Sequence, residues 1–487
     1  MSEKKQLKFF NLPWPIFLLI AAVVLAATYL GVLPKGMAGC FVFMIIIGEL
    51  LAWVGDHTPI IKDYLGGGAI VVIFGSALLV YFNIIPAQAG VDEAGKAIYN
   101  MSLPFGNLDL VGNIGTFFKT TGGFLDWYIA ALITGSILGM NRKLLVKAAA
   151  RYFPAIFGGL ILAFALCMGV SALMGYPVMN ALLLIALPIM GGGMGAGASP
   201  LSKIFETSGT MSAAEALSVM TPAVAIGNAI SIVLAGVLVK VLKGKANGNG
   251  ALMQAGNIDP KELEISPEMQ AKRDNISLSY LGIGLLVSGA FFAFGYIVQG
   301  AWNALGTGVT IHAYAWMIIT VAIFKVLNIV PEFVEVACYQ WFQFIMKNLT
   351  NVLLLGIGVC YLDINTVISS FSLTYLLLCA ATCIGAFTGA AVIGKLVGFY
   401  PFEAGITAGL CMSNMGGTGD VAVLSAADRM ELMPFAQISS RLGGAIILLI
   451  ASLMLSLLAK FIVAVAPDSV NAALEAAKAG VNLLSAL

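Results

Sequence analysis

The chain is a succession of long apolar runs separated by short polar ones. After a basic start at Lys4, Lys5 and Lys8, the first run extends from Pro13 to about Leu33, and others follow near 36–55, 66–86, 123–141, 153–175 and 219–241. A second series covers about 276–298, 309–330, 348–360, 371–396, 401–413 and 444–465. Most of these runs approach the ~20 apolar residues that a helix needs to cross hydrocarbon. Only helices and closed barrels satisfy every backbone polar group in lipid. A barrel strand would alternate apolar and polar positions over about 10 residues. The pattern therefore predicts an all-α polytopic membrane protein with the lipid bilayer as its surroundings.

Composition strengthens this reading. Of 487 residues, 60% are hydrophobic and 10% charged, against about 25% charged in a soluble protein. Mean hydropathy is +0.97. A formal net charge of +1 with no basic patch excludes nucleic acid as a partner. The seven cysteines, Cys40, Cys167, Cys338, Cys360, Cys379, Cys383 and Cys411, form no CxxC pair, so neither a disulfide framework nor a zinc site is indicated, and no cofactor is expected. The basic start followed by an apolar run has the outline of a signal peptide. Yet Pro34-Lys35 leads almost at once into another apolar run, so 13–33 reads as an extra N-terminal spanning helix. The three lysines favour a cytoplasmic N-terminus.

The long polar segment 242–274 divides the spanning region into halves, 36–241 and 276–465, and an Ala- and Val-rich tail, 466–487, follows. Late in each half the apolar text breaks at glycines: 188-PIMGGGMGAGASP-200 in the first, 411-CMSNMGGTGDVAVLSAADRM-430 in the second. Gly/Pro-broken apolar segments at corresponding positions point to inverted repeats with a substrate site between them. The run Ala181–Met190 is too short to span, and each glycine costs a helix about 1 kcal/mol relative to alanine. Re-entrant helical hairpins around 178–208 and 401–430 are the natural arrangement. Such backbone survives at depth only against protein or a watery cavity, and its N–H groups suit an anion. Neither run fits GxGxxG, and no Walker lysine follows. The competing reading, glycines that merely let helices pack closely, is weakened by the pairing and by the polar residues of the second run.

Charges in apolar text are costly and so informative. Arg441, between 434-PFAQISS-440 and 442-LGGAIILLI-450, has the planar fork that suits a carboxylate; the plainer alternative is an arginine snorkelling at a helix start. Arg429, near Asp428 and Glu431, reads as solvated or internally paired. Asp420 serves either as a helix cap or, with broken-helix carbonyls, as a ligand for a coupling cation such as sodium. Lys325, ahead of Glu332 and Glu335, reads as an ion pair or a membrane-edge residue. His57 and His312 have no partners that suggest hydrolysis or metal binding. With no HExxH, GxSxG or phosphate loop, an enzyme is not indicated. A passive anion channel, which normally repeats one filter in an oligomer, fits two different glycine-rich tips less well than a carrier does.

At these elements the sequence resembles the bacterial 2-hydroxycarboxylate transporter family. The text that carries the resemblance is 414-NMGGTGDVAVLSAADRMELMPFAQISSRLGGA-445 with the GGxG signatures 192-GGMG-195 and 416-GGTG-419. The likeness extends over about 36–465, and 13–33 corresponds to the family's additional helix. It implies two inverted repeats with re-entrant hairpins. It also implies a homodimer in the bacterial cytoplasmic (inner) membrane, and elevator-type alternating access of a di- or tricarboxylate bearing a 2-hydroxyl, coupled to sodium or protons or by exchange. Carried onto this chain, Gly192, Gly193, Met194 and Gly195 line one tip and Met415, Gly416, Gly417, Thr418 and Gly419 the other. Arg441 matches the arginine that contacts a substrate carboxylate. Where the family's sodium–citrate branch has asparagine and arginine, this chain has Met194 and Met415; a further arginine of that branch falls near Ala213, with only Lys203 nearby. Thr418 keeps the hydroxyl of that branch's serine. Fewer cations to meet buried carboxylates favour a substrate smaller than citrate. Malate is the first expectation; citrate, a citrate/malate mixture and malate/lactate exchange are the alternatives.

Overall fold

The computed structural model describes residues 8–462 apart from 60, 63–66, 92–95, 119–122, 141, 143–148, 243–246, 249, 254–265, 307–310, 363 and 371. Lys4, Lys5, the tail 466–487 and most of the polar linker lie outside the described residues. Helices form where the apolar runs lie. Among the described residues seven are long and apolar enough to cross a membrane: Met37–His57, Tyr152–Leu173, Ala213–Val241, Leu278–Ala304, Glu332–Cys360, Leu373–Leu396 and Phe435–Leu457. Shorter apolar helices include Trp14–Leu30, Gly68–Tyr81, Phe124–Leu138 and Ala313–Leu327. Strands among the described residues are confined to two small antiparallel pairs, such as Gln88–Val91 with Ala97–Tyr99.

The chain forms two compact units, each assembled from separate stretches of sequence and each drawing on both halves of the chain. The first comprises Met1–Arg142, Glu264–Phe291 and Val321–Ile364. Its centre is the Glu332–Cys360 helix, which begins well before the apolar run at 348–360 because its polar residues find partners inside the unit. Glu335 Oε2 lies 2.7 Å from Lys325 Nζ, both buried. Gln340 Nε2 donates to the carbonyls of Lys272, Arg273 and Asn275, and its Oε1 accepts from Ser277 N. Asn351 Nδ2 donates to Glu49 Oε1 at 2.8 Å.

The second unit comprises Lys143–Leu263, Phe292–Thr320 and Asn365–Leu487. Its spine is the pairing of Ala149–Leu173 with Leu373–Leu396. Small residues face each other there: Gly158, Gly159 and Ala163 on one helix, Gly385, Ala386, Gly389 and Ala390 on the other. Backbones approach closely through such residues, the usual way helices associate where lipid removes the hydrophobic drive. Both glycine-rich breaks fall in this unit.

Candidate functional site

The first break interrupts a helical segment. The turn Val178–Asn180 widens into the π-helical stretch Ala181–Ala186 and ends in Leu187–Ile189. Helix resumes in the π-helical turn Met194–Ala198 and continues as Ser199–Thr207. Wide turns of this kind are rare and concentrate at functional sites. The break is shorter than the glycine run suggests: it occupies Met190–Gly193, while Gly195 and Gly197 sit inside the wide turn. Gly192 and Gly193 hold φ of +78° and +104°, a region that glycine enters at little cost.

The second segment repeats the pattern. Pro401–Ala404 leads into π-helical Gly405–Leu410, the chain turns through Cys411–Gly416, and the Gly417–Ala426 helix follows. Side-chain amides stabilise the turn. Gly416 N donates to Asn414 Oδ1 at 2.7 Å, and Met415 N donates to Asn228 Oδ1 at 3.1 Å. Gly416 is the N-cap residue and, as a glycine, has no side chain with which to cap the helix. Asp420 lies in the first helical turn instead, where negative charge complements the helix dipole. It is wholly buried; its Oδ1 accepts from Asn414 Nδ2 at 2.9 Å and its Oδ2 from Ser440 Oγ at 2.8 Å.

The two breaks meet backbone to backbone. A Cβ on Gly193 would lie 2.6 Å from the Met415 carbonyl oxygen, and one on Gly416 would lie 3.1 Å from that of Gly192. A Cβ on Gly192 would strike the carbonyl of Ser440, and one on Gly444 would lie 2.7 Å from that of Gly191. The third participant is thus the π-helical turn Ser439–Gly443, which carries Arg441. Arg441 is half-buried and within electrostatic reach of Asp420. Tyr152, buried on the Ala149–Leu173 helix, fixes this turn from behind: its Oη is 2.8 Å from Ser439 Oγ and 3.1 Å from the Phe435 carbonyl oxygen.

The start of the Gly417–Ala426 helix has no intrahelical acceptors for the N–H groups of Gly417, Thr418 and Gly419. The turn that carries Arg441 is joined to this helix by the bond from Ser440 to Asp420, and backbone N–H groups and a guanidinium are both donors of the kind that suits carboxylate oxygens. The side chain of Thr418 lies outside the described residues. Met194 is buried and Met415 half-buried, so neither adds charge. Lys203 is paired with Glu206 at 3.1 Å, and Ala213 opens a helix under a Ser212–Glu215 capping box. Among the described residues no group of three or more His, Cys, Asp or Glu is placed to hold a metal ion.

Arg429, Glu403 and His312 have partners of their own. Arg429 Nε lies 3.3 Å from Glu403 Oε1, Nη1 donates to the Asp428 carbonyl at 2.6 Å, and Nη2 donates to Asn247 Oδ1 at 2.8 Å. Glu403, wholly buried, also accepts from Gly248 N at 2.9 Å and from Gly250 N at 3.4 Å, so linker residues are fastened to the base of the second broken segment. His312 Nδ1 accepts from Tyr314 N at 3.2 Å, a local helix-start bond. Asn228, Tyr152 and Glu403 escape a reading that follows glycines and cations. Their signal was a polar residue inside apolar text, as in 225-AIGNAIS-231 and 401-PFEAGIT-407, where such a residue is expensive and therefore engaged.

Comparison with known proteins finds relatives over nearly the whole chain. The profile of the 2-hydroxycarboxylate transporter family matches residues 9–453. The malate transporter MleP of Lactococcus lactis is 35% identical over 93% of this chain and 99% of its own length. The citrate/sodium symporter of Salmonella typhimurium is 33% identical over 94% and 96%, and the citrate transporter CitP of Lactococcus lactis 34% over 90% and 91%.

Proposed function

This chain belongs to the 2-hydroxycarboxylate transporter family, and from that premise we propose that it is a cation-coupled symporter of a small 2-hydroxycarboxylate, with malate as its substrate. It is a multi-pass membrane transporter and not an enzyme. The observation that carries the reading is the meeting of both glycine breaks with the Arg441 turn inside one compact unit. Arg441 takes one carboxylate. The N–H groups of Gly417–Gly419 and the Thr418 hydroxyl take remaining oxygens, beside Gly192, Gly193, Met194, Gly195, Met415 and Gly416.

Sodium is the coupling ion in this proposal, with protons the alternative; a relative named as a citrate/sodium symporter supports the choice. It binds against break carbonyls and Asp420. Each Asp420 oxygen accepts one hydrogen bond, which leaves a further lone pair on each for a cation. Anion and cation together neutralise the package before it crosses.

The broken segments at 178–208 and 401–430 act as re-entrant hairpins of two inverted repeats, 36–241 and 276–465, and the part of a homodimer that carries them moves elevator-fashion. Glycine-interrupted segments in each half support this. The protein sits in the bacterial inner membrane with its N-terminus in the cytoplasm.

Malate over citrate rests on charge. Met194 and Met415 are neutral and Lys203 is neutralised by Glu206, so a third carboxylate would meet no cation there. Exchange of malate against lactate is the nearest alternative, and it requires internal counter-substrate. Competition against labelled malate by citrate and lactate, in proteoliposomes loaded with or without lactate, tests both points. Malate outcompeting citrate with no need of internal lactate is expected; strict dependence on internal lactate contradicts symport.

A further inference from the structure

Asn228 lies mid-way along the Ala213–Val241 helix, in otherwise apolar text, and is wholly buried. Its amide is seated against the second break. Oδ1 accepts from Met415 N at 3.1 Å, and Gly419 stands so near that a Cβ there would lie 2.8 Å from that oxygen. The facing group is an N–H donor, so the amide cannot be reversed: Oδ1 must face Met415 and Nδ2 must take the other position. Nδ2 is buried and has no hydrogen-bond partner among the described residues.

A buried donor without an acceptor is costly and calls for a partner. Other side-chain groups at this break are occupied: Asn414 by Gly416 N and Asp420, and Asp420 by Asn414 and Ser440. A cation cannot pair with an N–H donor, so sodium is not that partner. An acceptor oxygen is. We infer that Asn228 is a substrate-contacting residue. Its Nδ2 donates to a carboxylate or 2-hydroxyl oxygen of the bound anion while Oδ1 retains Met415 N, so that one planar amide joins the break to its cargo. This rests on the reading of the site as a 2-hydroxycarboxylate site. It adds a neutral donor on the Ala213–Val241 helix to a pocket otherwise built from the breaks and Arg441.

The test uses the full chain, purified and reconstituted, with L-malate as probe and sodium held constant. Asn228→Asp keeps an acceptor for Met415 N and removes the donor; its charge alone repels an anion, so Asn228→Ser, neutral and shorter, is measured beside it. Both variants are expected to raise the malate KM at least tenfold, with Vmax and the sodium concentration for half-activation within twofold of wild type. A merely structural asparagine would shift thermal stability and Vmax and leave KM in place. An unchanged KM in Asn228→Ser overturns the inference, whether or not Asn228→Asp folds or loses affinity. If the wild type binds malate and Asn228→Ser binds it equally, the inference fails alone. If the wild type binds none of malate, citrate and lactate, the function reading fails and this inference with it.

Discussion

Ser440 Oγ donates a 2.8 Å hydrogen bond to Asp420 Oδ2 across 20 residues of chain. The bond joins the first turn of the Gly417–Ala426 helix to the turn that carries Arg441, and so ties the buried carboxylate to that turn. Hydrogen bonds to charged groups contribute about 1.5–3 kcal/mol. Ser440→Ala is therefore expected to weaken malate or sodium affinity by about tenfold or more, and Ser440→Thr, which keeps the hydroxyl, to restore most of it. Uptake titrated against each solute separately reads this out; equal KM and sodium dependence in Ser440→Ala and wild type would contradict it.

Gly193 makes a steric prediction. Its φ of +104° and the Met415 carbonyl 2.6 Å from a built Cβ leave no room for a methyl group. Backbone strain of this kind costs about 1–3 kcal/mol, before the clash is counted. Gly193→Ala should fall below about a tenth of wild-type transport while still inserting in the membrane. Gly209→Ala is the comparison: its φ is also positive, +69°, but nothing stands within 4 Å of the added carbon, and near-normal transport is expected.

Arg441→Lys keeps the charge and removes the bidentate fork. Malate affinity should fall about tenfold or more, the equivalent of 1.4 kcal/mol, with Arg441→Ala worse. Normal transport in Arg441→Lys would remove the arginine from the carboxylate.

Arg429 and Glu403 belong to stability instead. Removing one member of a buried pair typically costs about 3–5 kcal/mol, so Arg429→Ala should lower the melting temperature of the purified protein clearly. Any transport that survives should keep its malate KM. A raised KM at unchanged stability would move this pair into the binding machinery.

Much of the scaffold is legible in the amino-acid sequence because lipid demands apolar runs of a set length. The Leu373–Leu396 and Phe124–Leu138 helices lie almost where the text places them. The reading fails where polar residues are satisfied over long range. Glu332–Cys360 is one helix, yet its first half looks extramembrane until Lys325 and the 272–277 backbone appear as partners of Glu335 and Gln340. The site shows the same division. Glycines reveal where a helix breaks, so the positions of both breaks are legible. The contact of Gly193 with Met415 is not, nor are the supports from Asn228 and Tyr152, because each depends on residues more than 150 positions apart. Arg429 bonds the Asp428 carbonyl beside it, but its ion pair is with Glu403, 26 positions away, which the charges nearest to it in the sequence do not suggest.

On this reading a 2-hydroxycarboxylate is accumulated at the expense of a cation gradient. Uptake of labelled malate into proteoliposomes, under an inward sodium gradient, an inward proton gradient and neither, tests it most directly. Saturable accumulation above equilibrium is expected with sodium, and equilibration only when no gradient is imposed. Saturation-free flux that merely equilibrates malate under every condition would contradict it.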